Sequence, residues 1–130
     1  MNQKEEEKLI IQLFRKKFPD FPKGRLIPSE SPDFILKISP KKSIGIELTG
    51  LFSVDDLVVD VRSAINKKEE KLHLYQNMHL SELWLIIHAD ALDEVRRNPG
   101  EKPGNMEIST NFSRVFLFDL FSGKTIILKS

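Results

Sequence analysis

The apolar positions of this chain follow two kinds of spacing, and the change from one to the other marks out its elements. Between Gln3 and Phe18, the residues Ile10, Leu13, Phe14 and Phe18 recur at helical spacing before Pro19 and Pro22 end the pattern, which predicts an amphipathic helix. From Gly24 the texture becomes short apolar runs: Arg25 to Ile27, Asp33 to Ile38, and Ser43 to Thr49. These read as three strands, the latter two forming a hairpin about Ser39-Pro40-Lys41-Lys42. Ser53 followed by Asp56 suits a helix start, and a long helix is predicted from there to about Asn77. Leu83 to His88 is a continuous apolar run of strand length, suited to a sheet covered on both faces. A short helix is expected from Ala89 to Arg97, after which Asn98-Pro99-Gly100 and Pro103-Gly104-Asn105 leave a long loop to about Ser113. Val115 to Leu120 and Thr125 to Leu128 close the chain as a hairpin about Ser122-Gly123-Lys124. The expected fold is α/β with a mixed sheet: helix, three-stranded meander, helix, strand, then a carboxy-terminal β-hairpin.

Within that order, two short stretches concentrate chemistry: Glu30-Ser31-Pro32-Asp33-Phe34 and Gly45-Ile46-Glu47-Leu48-Thr49. Pro32 cannot donate to a sheet ladder and suits the start of a strand, which puts Asp33 at that strand's mouth. Alternation sends Ile44, Ile46 and Leu48 to one face and Gly45, Glu47 and Thr49 to the other. With the hairpin tip near Pro40, Asp33 falls opposite residues 47 to 49, so two carboxylates converge. Converging anions raise one another's pKa unless a cation lies between them, and a hard divalent ion such as Mg²⁺ answers that need with oxygen ligands. The second helix adds a cation of its own. Val54, Val58, Val61, Ile65, Leu72 and Tyr75 form its apolar stripe, and Lys68 lies within that stripe while Lys67 points away. An ammonium on a buried face needs an anion, and Asp33 and Glu47 are the nearest ones expected. A plainer assignment stays open: Asp33 caps a strand, Glu47 is a solvated edge charge, and the Lys68 stem packs while its amine reaches water.

Composition narrows the partners. A chain of 130 residues with 40% apolar content can fill one core, so one domain over residues 1–130 is expected. Twenty basic against 19 acidic residues leave a net charge of +1, so no large field recruits nucleic acid or an anionic membrane, and such a partner must be held locally. The absence of cysteine excludes disulfides and thiolate metal sites. Asn2 to Lys8 is too charged for a secretory leader and no apolar run is long enough to span a bilayer, so the expected location is the cytoplasm with no membrane partner. His73, His79 and His88 share no metal-ligand spacing on one element. The glycines never cluster into a phosphate cradle, and Ser31 and Ser113 stand in no nucleophile elbow. Lys37, Lys41 and Lys42 beside the hairpin form a basic turn that is either solvated or a phosphate contact, and Phe112, Phe116, Phe118 and Phe121 fit strand packing better than base stacking.

Pro32-Asp33, a turn, then Glu47-Leu48-Thr49 resembles the PD-(D/E)xK nuclease superfamily, and the element order resembles that family's restriction-endonuclease-like core over roughly residues 5 to 88. The resemblance implies a metal-dependent nuclease with Mg²⁺ or Mn²⁺ held by Asp33, Glu47 and the Leu48 carbonyl. It also implies an assisting lysine and, on the first helix, a glutamate, which falls on Glu7 with Glu6 as the neighbouring choice. The family's lysine position is occupied here by Thr49, and Lys68 stands where some branches place a replacement. The implied partner is nucleic acid, DNA ahead of RNA, and small nucleases of this kind often act as homodimers. A domain that keeps the fold but binds without cutting is the alternative that Thr49 leaves open.

Overall fold

The computed structural model describes residues 2–51, 56–90 and 106–130. Helix α1 (Gln3–Lys17) forms where both ends can be capped. Asn2 Oδ1 accepts from the Glu5 N–H at 2.9 Å. Glu5 and Glu6 lie at the positive end of the helix dipole, and Arg15, Lys16 and Lys17 at the negative end. The Phe18 N–H still reaches the Phe14 carbonyl at 2.8 Å, and Pro19, which has no N–H, ends the ladder. The buried stripe is Ile11, Phe14 and Phe18, whereas Leu13, expected inside, is exposed. Leu9 to Phe14 is apolar at nearly every position, so spacing alone allowed more than one inward face. The observed rotation matters because Glu7, one turn before Ile11, then lies on the inward side.

Strands β1 (Arg25–Pro28), β2 (Phe34–Ser39) and β3 (Lys42–Leu51) form the expected antiparallel meander. Helix α2 (Leu57–Glu69) leads to β4 (Glu82–Ala89), which pairs parallel to β3. Strand β5 (Arg114–Asp119) then pairs parallel to β4, and β6 (Thr125–Lys129) returns antiparallel to β5. The fold is therefore α/β with one mixed six-stranded sheet in the order β1-β2-β3-β4-β5-β6. Among the described residues no helix is long and apolar enough to cross a membrane.

The second helix is shorter than its sequence pattern. Asp56 caps it, its Oδ1 accepting from Val58 and Val59 N–H groups at 3.1 and 3.2 Å. It ends at Glu69 rather than continuing to Asn77, and the chain tightens into a 3-10 turn over Leu72–Tyr75. The Lys71 N–H bonds the Lys68 carbonyl and the Leu74 N–H bonds the Lys71 carbonyl, both at 3.0 Å, the shorter spacing that defines such a turn. The Ser53 start, most of the expected helix to Arg97 and the loop through residue 105 lie outside the described residues, and Ala89 belongs to β4. The described end of that loop is tied down. Glu69 Oε1 accepts from the Asn111 N–H at 2.7 Å and from the Thr110 hydroxyl, and the Lys129 ammonium donates to the Thr110 and Phe112 carbonyls, each at 2.7 Å.

Each sheet face buries its own core. On one, Ile11 and Phe14 of α1 and Phe18 at its carboxy-terminal cap cover Phe34, Leu36, Ile44, Ile46, Leu48, Trp84, Ile86, Phe116 and Phe118. On the other, Val58, Val61 and Ile65 of α2 cover Leu85, Ile87, Val115 and Leu117, with Phe112 beside them. The α1 face is aromatic: the Phe14 ring centroid lies 5.2 Å from that of Phe116 and 5.3 Å from that of Phe118. The Arg114 guanidinium sits 5.0 Å from the Trp84 ring and 4.8 Å from that of Phe116. Phe121, grouped with the packing phenylalanines by its spacing, is instead 88% exposed in the β5–β6 turn. Gly45 is required by a close approach, because a Cβ there would lie 2.7 Å from Leu80, 2.8 Å from Leu83 and 3.0 Å from Pro32. Its bareness lets the turn that carries Asp33 settle over β3.

Phe14 is fully buried at the centre of the aromatic cluster, so Phe14→Ala is expected to cost about 3–5 kcal/mol. Urea unfolding followed by tryptophan fluorescence measures it; a change below about 1 kcal/mol would show that α1 is not packed as described.

Candidate functional site

The β2–β3 register sets the site. Phe34 pairs with Ile46, so the residue before Phe34 comes across from the residue after Ile46. Asp33 and Glu47 are thus brought together at the start of β2. The backbone fixes the first of them: the Leu48 N–H donates to Asp33 Oδ2 at 2.8 Å, which puts the Asp33 carboxylate one peptide unit from Glu47.

Glu47 is not a solvated edge charge. It is 2% exposed on the α2 face, level with Leu85 in β4. A carboxylate there requires donors, and two side chains supply them. Lys68 Nζ donates to Oε2 at 3.2 Å, with the lysine side chain itself only 15% exposed. The Tyr75 hydroxyl donates to Oε1 at 2.5 Å. Lys68 is thus paired and turned inward, while Lys67 is exposed. Burial and the bond to Glu47 push the Tyr75 hydroxyl well above its usual value of 10, against the opposing effect of a Ser31 hydrogen bond. It therefore acts as a protonated donor through the physiological range.

Helix α1 closes the other side. Glu7 sits at the inward edge with its side chain 12% exposed, whereas Glu6 is exposed. Glu7 Oε2 is buried without a hydrogen-bond partner, although the Lys4 ammonium lies 3.6 Å away. Lys4 also donates to the Ser29 carbonyl, lies 3.4 Å from the Asp33 carbonyl, and rests 5.5 Å from the centroid of the Phe34 ring. Burial raises the Asp33 carboxyl above its ordinary 3.8, and the Leu48 N–H opposes this; the charge of Glu7 raises it further, while Lys68 and Lys4 pull it down. The structure thus sets Asp33 on the Leu48 N–H, Glu47 against Lys68 and Tyr75 on the α2 face, and Glu7 beside Lys4 on the α1 side, where its charge is felt by Asp33.

Three neighbours went unrecognised in the sequence. Tyr75 was visible only as one more member of the apolar stripe, yet a buried phenol needs a partner for its hydroxyl, which was the available signal. Ser31 stood in the stretch that carries Asp33 but was weighed only as a nucleophile, and Lys4 carried no distinguishing pattern. The basic residues Lys41 and Lys42 belong elsewhere, at the opposite end of β2 and β3 from Asp33. Six strand residues, about 20 Å, separate them from it. Thr49 is half-buried on β3, and His88 lies near the end of β4, where burial lowers its pKa against the pull of Asp90 and Glu6.

The donor set suits a hard cation. Asp33, Glu47 and the Leu48 carbonyl offer oxygen, and the Glu7 carboxylate, ion-paired with Lys4, lies close enough for its charge to act on Asp33. Among the described residues no three His, Cys, Asp or Glu side chains are grouped closely enough to hold an ion unaided. Mg²⁺ is commonly held by one or two carboxylates with water filling its remaining positions, which a pair of acids satisfies. Comparison with protein-family models, curated protein sequences and solved structures gave no match.

The raised pKa of Asp33 has a consequence for stability. In the folded protein Asp33 holds its proton more tightly than in the unfolded chain, so its unfavourable contribution is absent below 3.8 and fully expressed above the raised folded value. Asp33→Asn keeps an oxygen for the Leu48 N–H and removes the charge. The variant is expected to melt above the wild type at pH 7 in chelator, with the gap narrowing as the pH falls toward 4. A lower melting temperature at pH 7 would contradict the arrangement.

Proposed function

We propose that this chain is a metal-dependent nuclease of the restriction-endonuclease-like class, which hydrolyses phosphodiester bonds of nucleic acid. The observation that carries the proposal is the buried Glu47–Lys68 pair, 3.2 Å apart, with the Asp33 carboxylate anchored one peptide away. A structural ion pair alone would be an expensive choice on this face, since apolar residues of similar size in such positions are often neutral or stabilising. Element order supports the same class: helix, antiparallel meander, helix, then a strand parallel to the last strand of the meander.

In this reading Asp33, Glu47 and the Leu48 carbonyl hold Mg²⁺ or Mn²⁺, with Glu7 lending its buried carboxylate from α1. The bound cation supplies charge neutralisation at the scissile phosphate and activation of water. Asp33 must then be ionised, and the same cation favours that state. Lys68 supplies the ammonium that Thr49 does not, positioned to offset charge that develops on the phosphate. DNA is the first substrate to test, and a homodimer would provide two such sites for the strands of a duplex. The rival is a binding module that keeps the architecture without cutting, and Thr49 is the feature that favours it.

Supercoiled plasmid, single-stranded DNA and RNA incubated with the protein in Mg²⁺, Mn²⁺ or chelator separate the two. Metal-dependent cleavage is expected, abolished by Asp33→Ala and reduced about 100-fold by Lys68→Ala. Binding to nucleic acid with no cleavage in any metal would favour the module.

A further inference from the structure

Glu47 is held by two donors of different character. Lys68 reaches it from α2 at the end of a long flexible stem, so it neutralises charge but fixes orientation weakly. Tyr75 is a short, rigid, buried ring with its hydroxyl 2.5 Å from Oε1. The ring stands on its own 3-10 turn beyond α2, and Tyr75 is the buried residue of that turn. Neighbouring Leu74 is exposed. The turn is closed by local backbone bonds, from the Leu74 N–H to the Lys71 carbonyl at 3.0 Å and from the Met78 N–H to the Tyr75 carbonyl at 3.1 Å, so the ring is anchored without help from the lysine's side chain.

Glu47 belongs to β3, and Asp33 stands across from it at the start of β2. One phenol oxygen therefore holds the Glu47 carboxylate while lying within the electrostatic field of Asp33, the other proposed metal-binding acid. Nor does this contact block coordination. A carboxylate offers about four lone-pair positions, and Tyr75 and Lys68 take one each.

We propose that Tyr75 is a positioning residue for the metal site, its hydroxyl fixing the Glu47 carboxylate in the orientation that lets it share one divalent cation with Asp33. The proposal rests on the metal-dependent reading above. Its consequence is specific: loss of the hydroxyl weakens cation binding while the chain still folds, because the ring that fills the core is retained in phenylalanine. At saturating cation the chemistry recovers, since Tyr75 touches neither substrate nor water in this role.

The test is Mn²⁺ binding by calorimetry at pH 7, with the Mn²⁺-induced rise in melting temperature as a parallel readout, for wild type, Tyr75→Phe, Glu47→Gln and the double variant. Wild type is expected to bind one Mn²⁺ per chain, and Tyr75→Phe to bind it about tenfold more weakly with a smaller thermal shift. The double variant should be no weaker than Glu47→Gln alone, because the hydroxyl acts through that carboxylate. In a cleavage assay Tyr75→Phe should raise the half-saturating Mn²⁺ concentration and leave the rate at saturation within about threefold of wild type, a split that a general loss of folding would not produce. Equal Mn²⁺ affinity in wild type and Tyr75→Phe would overturn the positioning role alone, and so would an added loss in the double variant. Failure of the wild type itself to bind Mn²⁺ would overturn the metal reading, and the positioning role with it.

Discussion

A carboxylate in the middle of a covered sheet face is the constraint from which the rest of this structure can be reasoned. Glu47 lies on β3, level with Leu85, under a helix whose other inward residues are Val58, Val61 and Ile65. Taking an ionised carboxylate out of water costs several kcal/mol, and the loss is offset only when its oxygens find donors. Two local departures from regular structure follow. Helix α2 carries a lysine within its apolar stripe, and the chain after it leaves α-helical geometry for a 3-10 turn that brings Tyr75 to the second oxygen. An apolar residue at position 47 would need neither, and its absence is the pattern expected where stability is given up for chemistry.

The two faces divide the labour. The α1 face is apolar and densely aromatic, with Phe14 against Phe116 and Phe118, Trp84 against Phe116, and Arg114 stacked on the rings. Such a cluster is rigid, and it fixes where the amino-terminal end of α1 meets the start of β2. Charged residues surround the start of β2 from both faces: Glu7 and Lys4 from α1, Asp33 from the β1–β2 connection, and, on the α2 face, Glu47 from β3 paired with Lys68 from α2. The acids outnumber the ammonium groups. The buried Glu7 oxygen has no hydrogen-bond partner, and Asp33 holds its proton more tightly than it would in water. A site with an excess of anionic oxygen and a reluctant carboxyl is one that a divalent cation would complete, and this supports the proposed chemistry more strongly than the element order does.

The sequence was informative wherever one periodicity dominated. The meander, the buried β4 run and the closing hairpin were legible because strand alternation and turn residues agreed, and Lys68 stood out because a charge interrupted a clear helical stripe. Helix α1 was legible as a helix but not in its facing, since Leu9, Ile10, Ile11, Leu13 and Phe14 cover more than half its circumference and only the contact with Phe116 and Phe118 selects Ile11 over Leu13. The end of α2 was misplaced because nothing between Glu69 and Asn77 is a helix breaker; the 3-10 turn is stabilised by what Tyr75 reaches, a contact that spans 28 residues of chain. Lys4 was invisible for the same reason, its partners being set by the register of distant elements.

The most direct measurement of the central claim is the anomalous diffraction of a crystal grown from the intact protein and soaked in Mn²⁺. A single strong peak is expected between the Asp33 and Glu47 carboxylates, within coordination distance of the Leu48 carbonyl and with Lys68 alongside. Full Mn²⁺ exposure with no peak between those two carboxylates would contradict the account.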